Sequence, residues 1–335
     1  MGRAGASMSG GGGFDNPLRC NVVTAVASGV VLSLAPRVMI YPRFAFRSWA
    51  ALAVLLACPV LQAQDQPVSL QLRWTPGKTY TQETTTETNT ALTAVGQAAD
   101  VKMKVVQTTV IQVEGEEKGN KEARVTFEAL SGEVMLDGKN HVFDSKNLTD
   151  AHPMIKASIG QSVGKSFVMV YDQDDQFVSV KDTGTMTPSN LGNPSLEGLA
   201  EAKEVAELYR RSLEMGLPQV KVKPGDRWTS QQTVKFPSAG TVNVELRVKF
   251  DAIVNYDTGP HAKISFEGEM KNDETAQEAR RVSIGKGSKT FGQILFDINR
   301  GTVSFGAFRA DITLDVGGKS LPIRQQVSTK LMKLE

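Results

Sequence analysis

Between Val242 and Tyr256 an apolar residue stands at every second position: Val242, Val244, Leu246, Val248, Phe250, Ala252, Val254 and Tyr256, eight in fifteen residues. Side chains of an extended strand point alternately to opposite faces, so the run reads as one half-buried strand. At about 3.3 Å per residue it would reach roughly 50 Å, where strands of five or six residues are usual. Such a strand does not lie flat, because the right-handed twist of extended backbone accumulates into coiling. The sequence therefore predicts a strongly curved antiparallel sheet wrapped around an elongated apolar interior.

The same period of two recurs along the chain. Val68, Leu70, Leu72 and Trp74 alternate with polar residues, and a threonine-rich run from Thr81 to Thr93 suits a strand with one wet face. Further strands are expected in 101–113, 123–130, 134–136, 167–171, 264–270, 294–298, 303–308, 312–316 and 321–331. Polar connections at 116–120, 137–140 and 172–175 read as hairpin turns. One segment changes period. Asn193-Pro194 offers an N-cap with proline in the first turn, Leu199, Ala202, Val205, Ala206, Tyr209 and Leu213 share one helical face, and Gly216 with Pro218 ends the pattern. An amphipathic helix is expected over about 193–216.

Two copies of a proline–glycine step divide the chain. Trp74-Thr75-Pro76-Gly77-Lys78-Thr79-Tyr80 and Val222-Lys223-Pro224-Gly225-Asp226-Arg227-Trp228 each break a strand and lead to an aromatic. Ser158-Ile159-Gly160 and Ser283-Ile284-Gly285 form a second match, each with an aspartate fourteen residues after the serine, Asp172 and Asp297. The kept order points to an internal duplication. The expected fold class is mainly β: two tandem antiparallel, long-stranded curved sheets or half-barrels with one helix between them. The expected divisions are a leader over 1–63, an N-terminal β half over 64–190, a linking helix over 191–217 and a C-terminal β half over 218–335.

The leader has the physics of an export signal. Arg43 and Arg47 precede an apolar run from Trp49 to Val60, and Leu61-Gln62-Ala63 supplies a small residue before a polar stretch, so cleavage is expected after Ala63. That run is shorter than the roughly 20 apolar residues that span a bilayer. Leu55-Leu56-Ala57-Cys58 offers an alternative, a lipobox with acylated Cys58, which Pro59 disfavours. A second apolar stretch, Val22 to Ala35, suggests that translation begins at Met39. Both cysteines, Cys20 and Cys58, lie in the leader, so the exported chain would have no disulfide. Residues 1–63 hold five of 38 Lys/Arg and one of 36 acids, leaving a net charge of −2 for the rest. That balance is not the basic footprint of a nucleic-acid binder.

On the signal segment, the Pro-Gly-x-x-aromatic step, the threonine-rich strand and the duplicated long-stranded halves, the chain resembles a family of exported bacterial envelope proteins catalogued only as a domain of unknown function. The resemblance implies no activity. In architecture it is also similar to periplasmic lipoprotein-carrier half-barrels, by analogy alone.

No residue pattern here carries chemistry. His141, His152 and His261 lie beside turn residues, far apart, and read as surface-loop histidines without metal-ligand spacing. Asp172-Gln173-Asp174-Asp175 lacks the glycine and distal glutamate of a calcium loop. Gly285-Lys286-Gly287-Ser288-Lys289-Thr290 has serine where a phosphate loop needs glycine and reads as a flexible connection. The expectation is therefore a non-enzymatic protein with no cofactor and no metal, no nucleic-acid partner and no transmembrane segment after export. It would be periplasmic or extracellular. Its partner would be a lipid or other apolar ligand, or alternatively an envelope protein. The candidate ligand-facing or core residues are Trp74, Tyr80, Trp228, Leu246, Phe250 and Tyr256.

Overall fold

The long alternating run is a strand that bends at a defined residue. A computed structural model of the chain describes residues 66–96, 100–115, 119–136, 138–160, 163–182, 202–236, 240–257, 259–273 and 282–335. In it, Gly240–Tyr256 forms one strand that pairs antiparallel with Gly259–Asn272. Phe250 lies opposite Ile264 but Ala252 lies opposite Lys263, so Asp251 is an extra residue, a β-bulge. A bulge reverses the alternation. Leu246, Val248 and Phe250 face the core before it, and after it Ile253 takes the core side while Ala252 and Tyr256 take the other.

The strands, in chain order, are β1 (Thr79–Thr90), β2 (Val101–Gly115), β3 (Lys121–Leu136), β4 (Lys139–Asp144), β5 (Ser166–Tyr171), β6 (Phe177–Asp182), β7 (Arg227–Phe236), β8 (Gly240–Tyr256), β9 (Gly259–Asn272), β10 (Val282–Ile284), β11 (Lys289–Asp297), β12 (Thr302–Val316) and β13 (Lys319–Leu334). Helix α1 (Pro153–Gly160) follows β4 and α2 (Ala202–Glu214) precedes β7. The expected start of the long helix at Asn193 lies outside the described residues.

All thirteen strands belong to one antiparallel sheet, in the order β6-β5-β3-β2-β1-β13-β12-β11-β9-β8-β7, with β4 on β3 and β10 on β12. The two expected halves are thus parts of a single sheet. They meet where β1 pairs with β13, from Tyr80 opposite Leu334 to Thr90 opposite Ile323. The chain crosses the sheet outward from β1 to β6, restarts at the far edge with β7, and returns until β13 meets β1. The result is one open sheet with β6 and β7 at its two ends, and α2 lies between those two strands in the chain.

The sheet is rolled, and two adjacent residues prove it. Arg73 donates its backbone N–H to Gly301 at 2.8 Å and its guanidinium to the carbonyls of Ile298 and Asn299, both at 2.7 Å. Trp74 donates its backbone N–H to Asp175 Oδ1 at 2.8 Å. These turns follow β11 and β5, which stand six strand spacings apart, about 29 Å in a flat sheet. Neighbouring residues are only about 3.8 Å apart. The sheet must curl to bring both turns to one place.

Inside the curl lie two apolar clusters. One gathers Leu246, Phe250, Ile264, Phe296 and, from the segment before β1, Leu70 and Leu72. The other gathers Tyr80, Ile111, Val125, Phe167, Met169 and Trp74. Burying each such side chain contributes about 1.5–3 kcal/mol. Helix α2 joins them: Val205, Ala206, Tyr209 and Leu213, at spacings of three and four, pack on the second cluster, and Leu213 also reaches the first. Gly216, at φ 77°, ends the helix in the left-handed region. A smaller cluster, Val134, Phe143, Ile155 and Ile159, seats α1 over β3 and β4.

Candidate functional site

Curvature of the second half depends on glycines facing inward. A Cβ on Gly292 of β11 would stand 2.3 Å from the Ala307 carbonyl and 2.7 Å from Phe266 Cζ, and one on Gly268 of β9 would stand 2.4 Å from the Glu245 carbonyl. Phe266 and Phe308, the cross-strand neighbours of Gly292, close over it with ring centroids 6.4 Å apart. Backbone bends where there is no side chain, and the two rings cover the gap.

Against this bend, beneath α2, is a cavity of about 70 Å³. Its apolar wall is Leu213 and Met215 from the helix side and Phe266, Ile294, Val303 and Phe308 from the sheet. Its polar side comes from β1 and β13. There Tyr209 Oη donates to Gln82 Oε1 at 3.0 Å, and the hydroxyls of Thr84 and Thr329 share a 3.0 Å hydrogen bond. Burial pushes the Tyr209 phenol well above its usual range, so it remains a neutral donor. Among the described residues, none that lines the cavity is charged.

The six candidate residues do not converge on that cavity. Trp74 and Tyr80 pack edge to face in the first-half core, with centroids 5.4 Å apart, while Leu246 and Phe250 are fully buried in the other. Trp228 lies against that second core and donates its indole N–H to Gly216 at 3.2 Å, fastening the exit of α2. Tyr256, turned away by the bulge at Asp251, stacks edge-on with His261 at 5.3 Å. The sequence did not point to Gln82, Thr84, Tyr209, Phe266 or Thr329 as a group, since each sits in an ordinary alternating or amphipathic pattern.

His261 corrects the reading of the histidines as surface-loop residues: it is wholly buried on β9. Its Nδ1 lies 2.9 Å from the Gly259 carbonyl, which can only accept, so Nδ1 carries the proton. Nε2 lies 2.8 Å from Ser304 Oγ and 3.8 Å from Asp297 Oδ2. Serine and aspartate face the same ring nitrogen, so the trio is no relay in which one nitrogen is oriented while the other takes a proton. It ties the β8–β9 turn to β12. His141 and His152, though distant in sequence, have ring centroids 4.9 Å apart.

The two other loops are occupied by the protein itself. Asp172 Oδ1 accepts from the backbone N–H of Asp174 and Gln176, and Asp175 accepts from Trp74 and pairs with Lys121 at 2.7 Å. The connection read as flexible after Gly285 is tied down: buried Ser288 donates to the Gly285 carbonyl and accepts from Thr313.

No protein-family model matches the chain, and no curated protein matches it in sequence. Among the solved structures that resemble it are three of low sequence identity. Lipovitellin, from a study of lipid–protein interactions, is 10% identical with a TM-score of 0.45; the match covers 78% of this chain and 26% of lipovitellin, so the chain spans about a quarter of that protein. A protein of Bacteroides fragilis described as exported and of YmcC-like fold is 12% identical with a TM-score of 0.25, over 81% of this chain and 100% of the other. A β-barrel-like protein of a domain of unknown function from Brucella abortus is 13% identical with a TM-score of 0.21, over 76% of this chain and 97% of the other. None of the described helices is long and apolar enough to cross a membrane.

Proposed function

We propose that this is an exported, non-catalytic protein of the bacterial cell envelope that binds an apolar or amphipathic ligand, a lipid or a lipoprotein segment, on the inner side of its curved sheet. The observation that carries this reading is the cavity between α2 and the bend at Gly292, uncharged among the described residues, mostly apolar on the helix and β9–β12 side, where Ser212 and Gln293 also line it, and hydroxyl-bearing on the β1–β13 side. Amphipathic molecules are held by such surfaces, a mostly apolar wall with a few fixed polar groups. The apolar run before Ala63 supports export, to the periplasm or outside the cell. The test is extraction of the purified protein with organic solvent, followed by mass spectrometry. A lipid recovered in fixed ratio is the expected result; no lipid, together with no binding of an apolar fluorescent probe, would sink the proposal.

One observation favours a second reading, a structural or protein-interaction module. Much of the interior is filled by the chain's own Leu70, Leu72, Trp74 and α2, and the cavity is small beside the 300 Å³ or more of ordinary ligand pockets. Crosslinking in intact cells that recovers one stoichiometric protein partner, with no lipid bound, would favour this alternative.

A further inference from the structure

Gly306 is the residue of β12 whose presence the fold does not explain. Its φ is not in the left-handed region, so no turn or bulge conformation calls for glycine there. Nor is space short. A Cβ on Gly306 would meet a single atom within 4 Å, Val303 Cγ1 at 3.9 Å, in contrast to Gly268 and Gly292, whose Cβ atoms would collide with backbone carbonyls. Glycine inside a strand weakens it, because the unfolded chain gains freedom and the folded one loses a packing side chain. Gly306 stands between Ile294 and Thr329 in the sheet and lines the cavity beneath α2. The missing side chain leaves the room that the cavity occupies.

From this geometry we infer that the space beside Gly306 is the seat for one end of a neutral aliphatic chain, an inference that rests on the ligand-binding reading above. The class follows from the walls. None of the described residues that line it is charged, so a carboxylate or phosphate placed there would lose its hydration without a counter-charge from them. The polar groups already engage one another: Tyr209 donates to Gln82, Thr84 pairs with Thr329, and Ser212 donates to the Tyr209 carbonyl. Size sets the extent. A cavity of about 150 Å³ admits benzene, so the 70 Å³ here accepts only the last few carbons of a chain. A longer stretch would require α2 to shift away from the sheet. The helix is fastened at its C-terminal end, the end that lines the cavity, by Arg211, which donates to the Thr233 carbonyl of β7, and by Gln232, which donates to the Arg211 carbonyl.

The experiment measures equilibrium dialysis of radiolabelled dodecanol, whose terminal carbons are the part the cavity admits, against the wild-type chain, Gly306→Ala and Gly306→Val, with thermal unfolding measured in parallel. Wild type should bind the alcohol. Gly306→Val should weaken dodecanol binding at least tenfold and Gly306→Ala about threefold, while the unfolding midpoint stays level or rises. Equal dodecanol binding by all three proteins, or none by wild type, would overturn the seat at Gly306 and leave the ligand-binding reading standing. Absence of dodecanol binding in wild type together with absence of extracted lipid and of fluorescent-probe binding would defeat both. Should Gly306→Val not fold, Gly306→Ala decides the matter, since its single methyl enters open space.

Discussion

Gly77 and Gly225 stand in matching positions, 148 residues apart in the sequence. Gly77 donates its N–H to the carbonyl of Val113, whose own N–H returns to Lys78; Gly225 donates to Phe250, whose N–H returns to Asp226. Each proline–glycine step thus enters the first strand of its half by clasping the second. Such correspondence is what a duplicated half predicts. The other marker is less regular: Ser158–Gly160 lies in α1, whereas Ser283 and Ile284 lie in β10. The two aspartates do correspond, since Asp297 Oδ1 accepts from Asn299 and Arg300 as Asp172 does within its own turn.

Gly77 and Gly225 have φ of 79° and 95° and open space where a Cβ would stand. Substitution there meets backbone strain and no collision, so Gly77→Val and Gly225→Val should each lower stability by about 1–2 kcal/mol, and asparagine, which tolerates the left-handed region, by less. Urea unfolding of the four variants checks the order.

At Gly292 the obstacle is steric. Gly292→Ala places a methyl 2.3 Å from a backbone carbonyl, which cannot move without parting β11 from β12. A loss of about 3 kcal/mol or more is expected, at the upper end of overpacking effects. If thermal unfolding showed Gly292→Ala to be as stable as wild type, the glycine-bend account would fail.

Asp175 combines φ 60° with an ion pair to Lys121 in which the two side chains are 9% and 16% exposed. Removing its carboxylate strands the lysine charge and the Trp74 N–H together. Asp175→Ala should cost about 3–5 kcal/mol, in the range of broken buried pairs. Asp175→Asn keeps an acceptor and tolerates the backbone angle, so denaturant midpoints should place it between alanine and wild type.

Burial, the largest influence in each case, raises the phenols of Tyr171 and Tyr209 far above their ordinary value of 10.0. In the unfolded chain they ionise near pH 10, while in the folded one they stay neutral. The stability they lend is therefore complete below that pH and is lost as pH rises beyond it. Alkaline titration should show tyrosinate absorbance at these two residues appearing together with unfolding. Ionisation of either before the far-ultraviolet circular dichroism changes would contradict their burial.

Much of this architecture is legible in the sequence because strands write a period of two and α2 writes a period near 3.6. Local turn chemistry is equally plain, and both proline–glycine steps and the turn at Asp172 can be read directly. What escapes is nonlocal or offset by one residue. Nothing in Thr79–Thr90 names Lys319–Leu334 as its partner, so a single rolled sheet cannot be told from two sheets. The bulge at Asp251 is an extra residue inside an unbroken apolar alternation, and it alone sends Tyr256 to the opposite face. His261 follows a Gly259-Pro260 step that reads as a turn in sequence, yet it is buried by contacts from β12 and the β8–β9 turn. The cavity is hardest to foresee, because its cue is the lone Gly306 in a strand.

The pairing of β1 with β13 sets the timing of assembly. These strands lie at the middle of the sheet, yet Tyr80 and its partner Leu334 are 254 residues apart in the chain. During synthesis β1 must hold one backbone edge vacant until residues as far as Leu334 have emerged, because closure of so long a loop is slow. Truncation within β13 would therefore part the structure through its centre instead of fraying a margin. Until β13 arrives, the waiting edge of β1 is the surface that most needs shelter from other chains.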